Sequence, residues 1–373
     1  MKNPMMNHTS PSHSLTFESL RIRSVLVPLR RPVFAKVGTF HQWPLVLIDV
    51  HTREGVTGHS YLEPHVPAAI PAIQTMLDIL AHTLKGKVLA PLDAYGDSLK
   101  ALHLLGREGV SLIAISGLDM AIWDALARAS HLPLARLLGG QPGPVRAYNT
   151  TGLWLSPIQT LGAEAKTLVA QGGFQALKMR LGRATVQEDL LAIRTVRDAV
   201  GPDIHLMSDF NQSLSYAEAL HRLRALDDQG MYWFEEPVVY DQPQRIADIT
   251  RQIQTPVQIG ENIYGPRGFY QAVAAGTADL YMPDLMRIGG VTGWMRAAAI
   301  AGAAGLPLSS HLYASVSSHL LRASETADWL EWSDWAEPVL AQPCVVANGC
   351  VTVPDRPGNS IEWNEAAVAK YAI

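Results

Sequence analysis

The chain has 373 residues, of which 48% are hydrophobic and 17% charged, and this balance excludes a disordered chain or a coiled coil. Lys and Arg number 30 and Asp and Glu 34, so the net charge of -4 lacks the strongly basic face that a nucleic-acid partner requires. The apolar stretch around Leu112–Leu126 is interrupted by Asp119 and Asp124, so we expect no membrane-spanning segment and no membrane partner.

The first residues, 1–14, are rich in Asn, Ser, His and Pro and lack the apolar segment of a secretory signal. We expect a disordered terminus here, as is common at chain ends, and a cytoplasmic protein.

The rest of the N-terminal third predicts a sheet followed by helices. Pro44–Val50 is an apolar, β-branched run, and Val56–Tyr61 is predicted to be its hairpin partner. From Pro67 to Ala129, apolar residues recur every three or four positions, which indicates amphipathic helices. Pro142-Gly143-Pro144 then breaks the pattern, so we place an N-terminal α+β domain at residues 15–143.

After this break, short apolar runs alternate with amphipathic helical patterns. The runs are Phe174–Leu181, Ile204–Phe210, Met231–Glu235, Val257–Gly260, Leu280–Met282 and Leu306–Ser309. Repeated strand–helix units indicate parallel strands joined by crossover helices, in either an open doubly wound sheet or a closed eight-unit barrel. The length favours a compact barrel, which we place at residues 144–333, and we expect residues 334–373 to pack back on the first domain.

Three acidic residues lie at the ends of three successive predicted strands. Asp209, Glu235 and Glu261 are 26 residues apart in each step (235 − 209 and 261 − 235), about one strand–helix unit. In a barrel, this spacing places the carboxylates at one height of the C-terminal mouth, where active sites lie. Like charges this close repel one another unless a cation lies between them, and oxygen ligands select a hard ion. We therefore predict a Mg²⁺ site.

Other polar residues fall on the neighbouring units. Lys178 and Arg180 precede the carboxylates and, two positions apart on a strand, lie on one face. Asp284 and His311 follow at intervals of 23 (284 − 261) and 27 (311 − 284) residues, and Glu331 ends one further unit. A hydrogen bond from His311 to Asp284 would fix the imidazole tautomer and raise its basicity.

These segments closely resemble the mandelate racemase subgroup of the enolase superfamily. The resemblance covers nearly the whole chain from about Ser19, and its most specific segments are Ser208–Ser213, Trp233–Pro237, Gly260–Asn262, Met282–Trp294, Ser309–Leu312 and Trp329–Glu331. It implies an α/β fold, a (β/α) barrel of the modified TIM type, with an α+β capping domain formed by the N-terminal region and the C-terminal tail. It also implies a small-molecule carboxylate substrate and a homo-oligomer, from dimer to octamer.

The resemblance implies a role for each residue around the predicted metal. Asp209, Glu235 and Glu261 would bind Mg²⁺, and the metal would chelate the substrate carboxylate. Lys178 would contact the same carboxylate, and Glu331 would donate a hydrogen bond to it.

The remaining roles concern the base and the substrate. His311, supported by Asp284, would remove the α-proton, and superfamily sites do use a Lys or His base with Mg²⁺. Asn211 matches a position near the metal. The loop Val33–Phe40 would close over the substrate through four side chains, Val33, Lys36, Val37 and Phe40.

Arg180 departs from the family pattern, which has a second base, a Lys, at this position. A guanidinium has a pKa of roughly 12.5 or above, so making it a base near pH 7 would cost on the order of 7 kcal/mol. We predict a fixed cation here and His311 as the single base, which suffices for β-elimination. The predicted reaction is dehydration of a sugar acid, an aldonate or aldarate, to a 2-keto-3-deoxy acid.

Two alternatives stay open. The apolar residues Val33, Val37 and Phe40 suit an aryl or alkyl substituent, as in a racemase or epimerase of a 2-hydroxy acid. The other alternative is that the protein is a metal-binding homologue without catalytic activity.

Overall fold

The structure is a computed structural model that describes residues 14–373. Most of the terminus that we predict to be disordered, residues 1–13, lies outside the described residues. The described part of the chain begins with a three-stranded antiparallel sheet. The strands are β1 Phe17–Ala35, β2 Gly38–Thr52 and β3 Thr57–Leu62, paired in that order. The predicted hairpin corresponds to β2 and β3. The sequence did not indicate β1, whose pairing with β2 shifts register between Pro28 and Val33.

Four helices complete this N-terminal region: α1 Ile70–Leu84, α2 Pro91–Ala101, α3 Val110–Ala129 and α4 Leu134–Leu137, with 3₁₀ turns at Pro67–Ala69 and His103–Leu105. By length and composition, α3 is the one described helix that could cross a membrane. In the fold, 78% of the most apolar 18-residue stretch of α3 is buried, as in the core helix of a globular protein.

Parallel strands and crossover helices follow. The strands are β4 Pro144–Asn149, β5 Ala176–Arg180, β6 His205–Asp209, β7 Met231–Glu235, β8 Val257–Ile259, β9 Leu280–Tyr281 and β10 Leu330–Trp332. The helices are α5 Ile158–Ala170, α6 Val186–Val200, α7 Tyr216–Leu226, α8 Pro243–Gln252, α9 Gly265–Ala274, α10 Leu285–Ile288, α11 Gly290–Ala304 and α12 Ala314–Leu321.

These strands close into a barrel. β4 to β9 pair in sequence order, and β10 pairs in parallel with β4. The gap between β9 and β10 is filled by the predicted run around Leu308, which forms isolated parallel bridges to Tyr281 and Ala327 instead of a full strand. The modified TIM barrel is therefore confirmed, and the open doubly wound sheet is excluded.

The C-terminal segment returns to the first sheet. It contains a 3₁₀ turn at Glu337–Val339, the short strands β11 Val346–Ala347 and β12 Cys350–Thr352, and α13 Glu365–Tyr371. Strand β12 pairs antiparallel with β4, whereas Ala372 bridges to Val25 of β1. The indole Nε1 of Trp363 donates to Asp49 Oδ1 at 2.6 Å. The tail thus contacts both parts of the chain.

A buried carboxylate joins α3 to the barrel helix α11. Asp119 accepts hydrogen bonds from the backbone N and the hydroxyl of Thr292, at 2.8 and 2.6 Å. The close approach requires glycine at the start of α11, because a Cβ on Gly290 would lie 2.6 Å from Asp119 Oδ2. The glycine-rich stretch after Asp284 therefore serves helix packing.

Candidate active site

Three carboxylates converge at the C-terminal mouth of the barrel. Asp209 ends β6, Glu235 ends β7, and Glu261 lies just after β8; one oxygen of each lies within 4.8 Å of the others. Burial raises the pKa of Glu235 to about 8. The charge of Lys178 opposes this rise, and the negative charges of Asp209 and Glu261 add to it. Hard oxygen donors whose negative charges crowd one another fit a divalent cation, and Mg²⁺ fits this donor set.

Lys178 lies beneath these carboxylates on β5. Its Nζ is 2.6 Å from Glu331 Oε1 and 2.9 Å from Glu235 Oε1. Burial opposes the charge of Lys178, but the two carboxylates outweigh it and raise the pKa of the amine. Burial likewise opposes ionisation of Glu331, yet Lys178 and His311 lower its pKa to about 2. Lys178 Nζ and the backbone N of Leu312, at 3.0 Å, both face oxygens of Glu331, so Glu331 accepts hydrogen bonds in this arrangement, and its donor role toward a substrate stays a prediction.

His311 and Asp284 form a hydrogen-bonded pair between adjacent strand ends. Their backbones form a parallel bridge, and His311 Nδ1 lies 2.7 Å from Asp284 Oδ2. With Nδ1 donating to this carboxylate, Nε2 points toward the carboxylate cluster, 3.1 Å from Glu261 Oε2. Burial lowers the pKa of His311, but Glu261, Glu331 and Asp284 outweigh burial and raise it to about 10. Glu261 makes the largest of these upward contributions, so neutralising its charge would lower the pKa of the imidazole.

Arg180 is held on the other side of the mouth. Its Nε lies 3.4 Å from Asp209 Oδ2, Nη2 donates to Thr150 Oγ1 at 3.3 Å, and the guanidinium lies 4.5 Å above the ring centroid of Trp154. Within residues 14–373, Nε and Nη1 have no hydrogen-bond partner and are buried. The guanidinium is therefore a positioned cation with donors to spare.

A cavity of about 270 Å³ opens above these groups. Of the predicted site residues, it is lined by Val33, Val37, Phe40, Arg180, Asp209, Asn211, Glu261 and His311. The deeper residues Lys178, Glu235, Asp284 and Glu331 surround the same mouth without lining the cavity. Lys36 does not line it either, although its neighbour Val37 in the same turn between β1 and β2 does.

The predicted covering loop is a β-hairpin. Val33 pairs with Phe40 and Ala35 with Gly38, and the backbone N of Leu155 donates to Phe34 O at 2.9 Å. Two strands tied to the barrel in this way present Val33 and Phe40 on one face, toward the cavity.

Asn211 lines the cavity and also contacts a carboxylate of the predicted metal site. Its backbone N and side-chain Nδ2 donate to the two oxygens of Asp209, at 2.6 and 2.8 Å. Asn211 therefore orients Asp209 toward the cluster.

Several residues that line the cavity were not predicted from the sequence. They are the aromatic residues Trp43, Trp154 and Trp335, and the polar residues His65, Gln212, Asn262 and Arg287. Trp43 and Trp335 pack with ring centroids 4.4 Å apart although they lie far apart in the chain. Gln212, Asn262 and Arg287 lie inside segments that carried the family resemblance, and this was the available signal for them.

Glu63 gives a pH-dependent prediction. Burial, reinforced by Asp284, raises the pKa of Glu63 to about 8 from 4.5, although Trp43 Nε1 donates to its Oε2 at 2.7 Å. The folded state therefore keeps a proton that the unfolded state loses, so stability is lost as the pH rises from 4.5 through 8. Relative to wild type, Glu63→Gln is expected to gain about 1 kcal/mol of unfolding free energy per pH unit between pH 5 and 7.

Denaturant unfolding at several pH values measures this difference. The exposed Glu18→Gln is the matched control and should follow wild type. Parallel pH profiles for Glu63→Gln and wild type would show that Glu63 is ionised in the folded protein.

The carboxylate cluster predicts strong stabilisation by Mg²⁺. At 100 times the dissociation constant, the ion is expected to add about 2.7 kcal/mol to the free energy of unfolding, because only the folded chain assembles the ligands. Thermal melts against Mg²⁺ concentration measure this gain. Glu235→Gln should remove most of it, and the exposed Glu108→Gln should not. Equal stabilisation of both variants would place the ion elsewhere.

Comparisons with known proteins agree with this geometry. The family described as "Mandelate racemase / muconate lactonizing enzyme, N-terminal domain" matches residues 18–139, and "Enolase C-terminal domain-like" matches residues 160–367. The L-talarate/galactarate dehydratase of Salmonella typhimurium is 28% identical over 359 residues, which are 94% of this chain and 89% of that protein.

Two solved structures are similar over nearly the whole chain. An enolase from the alpha proteobacterium BAL199, with bound Mg, is 50% identical with a TM-score of 0.95 and covers 96% of this chain and 100% of that one. An enolase from Bradyrhizobium, complexed with magnesium and mandelic acid, is 40% identical with a TM-score of 0.93 and covers 96% and 99%.

A capped (β/α) barrel with three carboxylates on successive strand ends defines a magnesium-dependent enzyme class. The chain belongs to the enolase superfamily, in its mandelate racemase/muconate lactonizing enzyme branch.

Proposed function

We propose that this protein dehydrates a sugar acid, removing the proton α to the carboxylate and then the β-hydroxyl as water. The observation that carries the proposal is the placement of Arg180. The contacts of its guanidinium with Asp209, Thr150 and Trp154 hold a permanent cation where a racemase needs a second base. A single base, His311, supports elimination because only one face of the α-carbon must lose a proton.

The side chains divide the chemistry between them. Asp209, Glu235 and Glu261 would hold Mg²⁺, which when bound supplies positive charge to the substrate carboxylate. Lys178 adds a second positive charge close to the same position, and its contacts with Glu235 and Glu331 fix its place.

His311 is the base that accepts the proton. Its Nε2 accepts the α-proton as the C–H bond breaks, and the bonding electrons pass into the enediolate of the substrate. Asp284 keeps the proton on Nδ1 and stabilises the imidazolium that forms. The enediolate electrons then form the C2–C3 double bond as the C3–O bond breaks, and the departing hydroxide takes the proton held on His311 Nε2 and leaves as water, which regenerates the base. The resulting enol loses its O–H proton to water and gains one from water at C3, giving the 2-keto-3-deoxy acid.

Racemisation or epimerisation of a 2-hydroxy acid is the second candidate. Val33, Val37, Phe40 and three tryptophans give the cavity an apolar wall, which suits an aryl or alkyl substituent. The Bradyrhizobium structure with mandelic acid supports the same reading.

The deciding experiment incubates the Mg²⁺-loaded enzyme with aldonates, aldarates and 2-hydroxy acids in D₂O. The proposal expects a 2-keto acid from at least one sugar acid, with deuterium exchange from one C2 epimer. Interconversion of both enantiomers of a 2-hydroxy acid would establish the second candidate, and no exchange from any acid would remove both.

The domain division and the assembly of the chain are part of the proposal. We assign the capping domain to residues 15–143 and 334–373 and the barrel to residues 144–333. Membership in the family supports a homo-oligomer, and the enzyme is assigned to the cytoplasm. Sedimentation velocity of the full chain tests the assembly, and a monomer would contradict it.

A further inference from the structure

His65 enters the cavity from the N-terminal region. It follows β3, lies with its ring centroid 5.3 Å from that of Trp43, and lines the cavity together with His311. Its φ of 60° is a left-handed conformation that residues other than glycine rarely adopt. Surrounding contacts must hold such a residue in place, and residues of this kind concentrate where a side chain has to be aimed.

The neighbouring Arg287 fixes the tautomer of His65. Nη2 of Arg287 lies 2.9 Å from His65 Nε2, and a guanidinium can only donate hydrogen bonds. Nε2 is therefore the acceptor, and the ring proton is on Nδ1. Arg287 is itself anchored, because its Nη1 donates to the backbone O of Glu261 at 3.0 Å. Burial and the charge of Arg287 lower the pKa of His65 to about 3, so the ring is a neutral donor.

The Nδ1–H group of His65 has no acceptor. His65 Nδ1 is buried and has no hydrogen-bond partner in the described part of the chain. Buried donors are almost always paired, and an unpaired one in a cavity wall is the position that a ligand oxygen satisfies. The carboxylate end of the substrate belongs to the metal cluster, so the oxygen that reaches His65 is one carried beyond C2.

We propose that His65 is a specificity-determining residue that donates from Nδ1 to a hydroxyl oxygen beyond C2 of the substrate. It selects polyhydroxylated acids against apolar acids of the same length, in a cavity that also has an apolar wall at Val33, Val37 and Phe40. This inference rests on the proposed function for its substrate class, because a sugar acid carries the oxygen that His65 requires.

Ligand binding tests the inference without requiring turnover. Tryptophan fluorescence reports binding, since Trp43 and Trp335 line the cavity. The probes are the stereoisomeric hexonates and the matched apolar acid 2-hydroxyhexanoate, added to the Mg²⁺-loaded full chain. We expect wild type to bind one hexonate more tightly than 2-hydroxyhexanoate, and His65→Phe to weaken that hexonate about 10-fold or more with little effect on the apolar acid.

Two further variants separate a polar contact from a change in packing. His65→Gln can accept from Arg287 and donate from its amide, so it should recover part of the hexonate affinity. Val66→Ala alters the same cavity wall without a polar atom and should keep the wild-type preference. The inference is overturned if wild type prefers no hexonate, or if His65→Phe retains the preference. Failure of dehydration is a separate result, measured as absence of 2-keto acid from wild type.

Discussion

Replacing His311 with Asn is expected to lower kcat/KM for elimination by roughly 10²–10⁴-fold, the range for loss of a general base. Asparagine can still donate a hydrogen bond toward Asp284, but it has no group that accepts a proton near neutral pH. The carboxylates of Asp209, Glu235 and Glu261 remain, so Mg²⁺ affinity should change little. Deuterium exchange at the α-carbon, followed by NMR, measures the chemical step directly.

Two controls make this result specific to proton transfer. His131→Asn changes an exposed histidine outside the cavity and should retain wild-type exchange. Asp284→Asn should slow exchange too, because it removes the negative charge that stabilises the imidazolium, and an amide oxygen kept on Arg287 N would turn the amide nitrogen, a donor, toward His311 Nδ1. Retention of wild-type turnover by His311→Asn would leave the chain without an assigned base and refute the mechanism.

The barrel and its carboxylate cluster could be predicted because, in a closed barrel, residues one strand–helix unit apart in the chain lie at the same height on neighbouring strands. Each strand–helix unit is about the same length, so carboxylates 26 residues apart must emerge at neighbouring strand ends. The run Met231–Glu235 coincides with β7 for this reason. The contact between Asp284 and His311 follows in the same way, from adjacent strand ends.

The covering wall of the cavity could not be predicted in this way. Trp43, His65 and Trp335 meet above the barrel only because the N-terminal sheet and the C-terminal segment dock there. No local periodicity encodes that docking, and lone aromatic residues have no spacing to interpret. Strand β1 was missed for a different reason, because Pro28 and Pro32 interrupt its apolar pattern where its pairing with β2 shifts register.

Arg180→Lys is expected to open the second face of the α-carbon to proton exchange. The reference pKa of lysine is roughly two units or more below that of arginine, and burial and the charge of Lys178 oppose the upward effect of Asp209 on the pKa of a lysine at this position. The neutral fraction of the side chain should therefore rise by about 10²-fold or more. The C2 epimer that wild type leaves unexchanged should then exchange, while elimination slows because contacts to Thr150 and Trp154 are lost.

Arg180→Met separates a new base from a lost cation. Methionine removes the charge and supplies no base, so exchange of the first epimer should fall and exchange of the second should stay at the wild-type level. NMR in D₂O follows both epimers in one sample. If wild type already exchanged both epimers at similar rates, a base other than Arg180 would serve the second face. The guanidinium of Arg180 would then be compatible with a racemase. Arg180 favours elimination over racemisation only because no other base reaches the second face of the α-carbon.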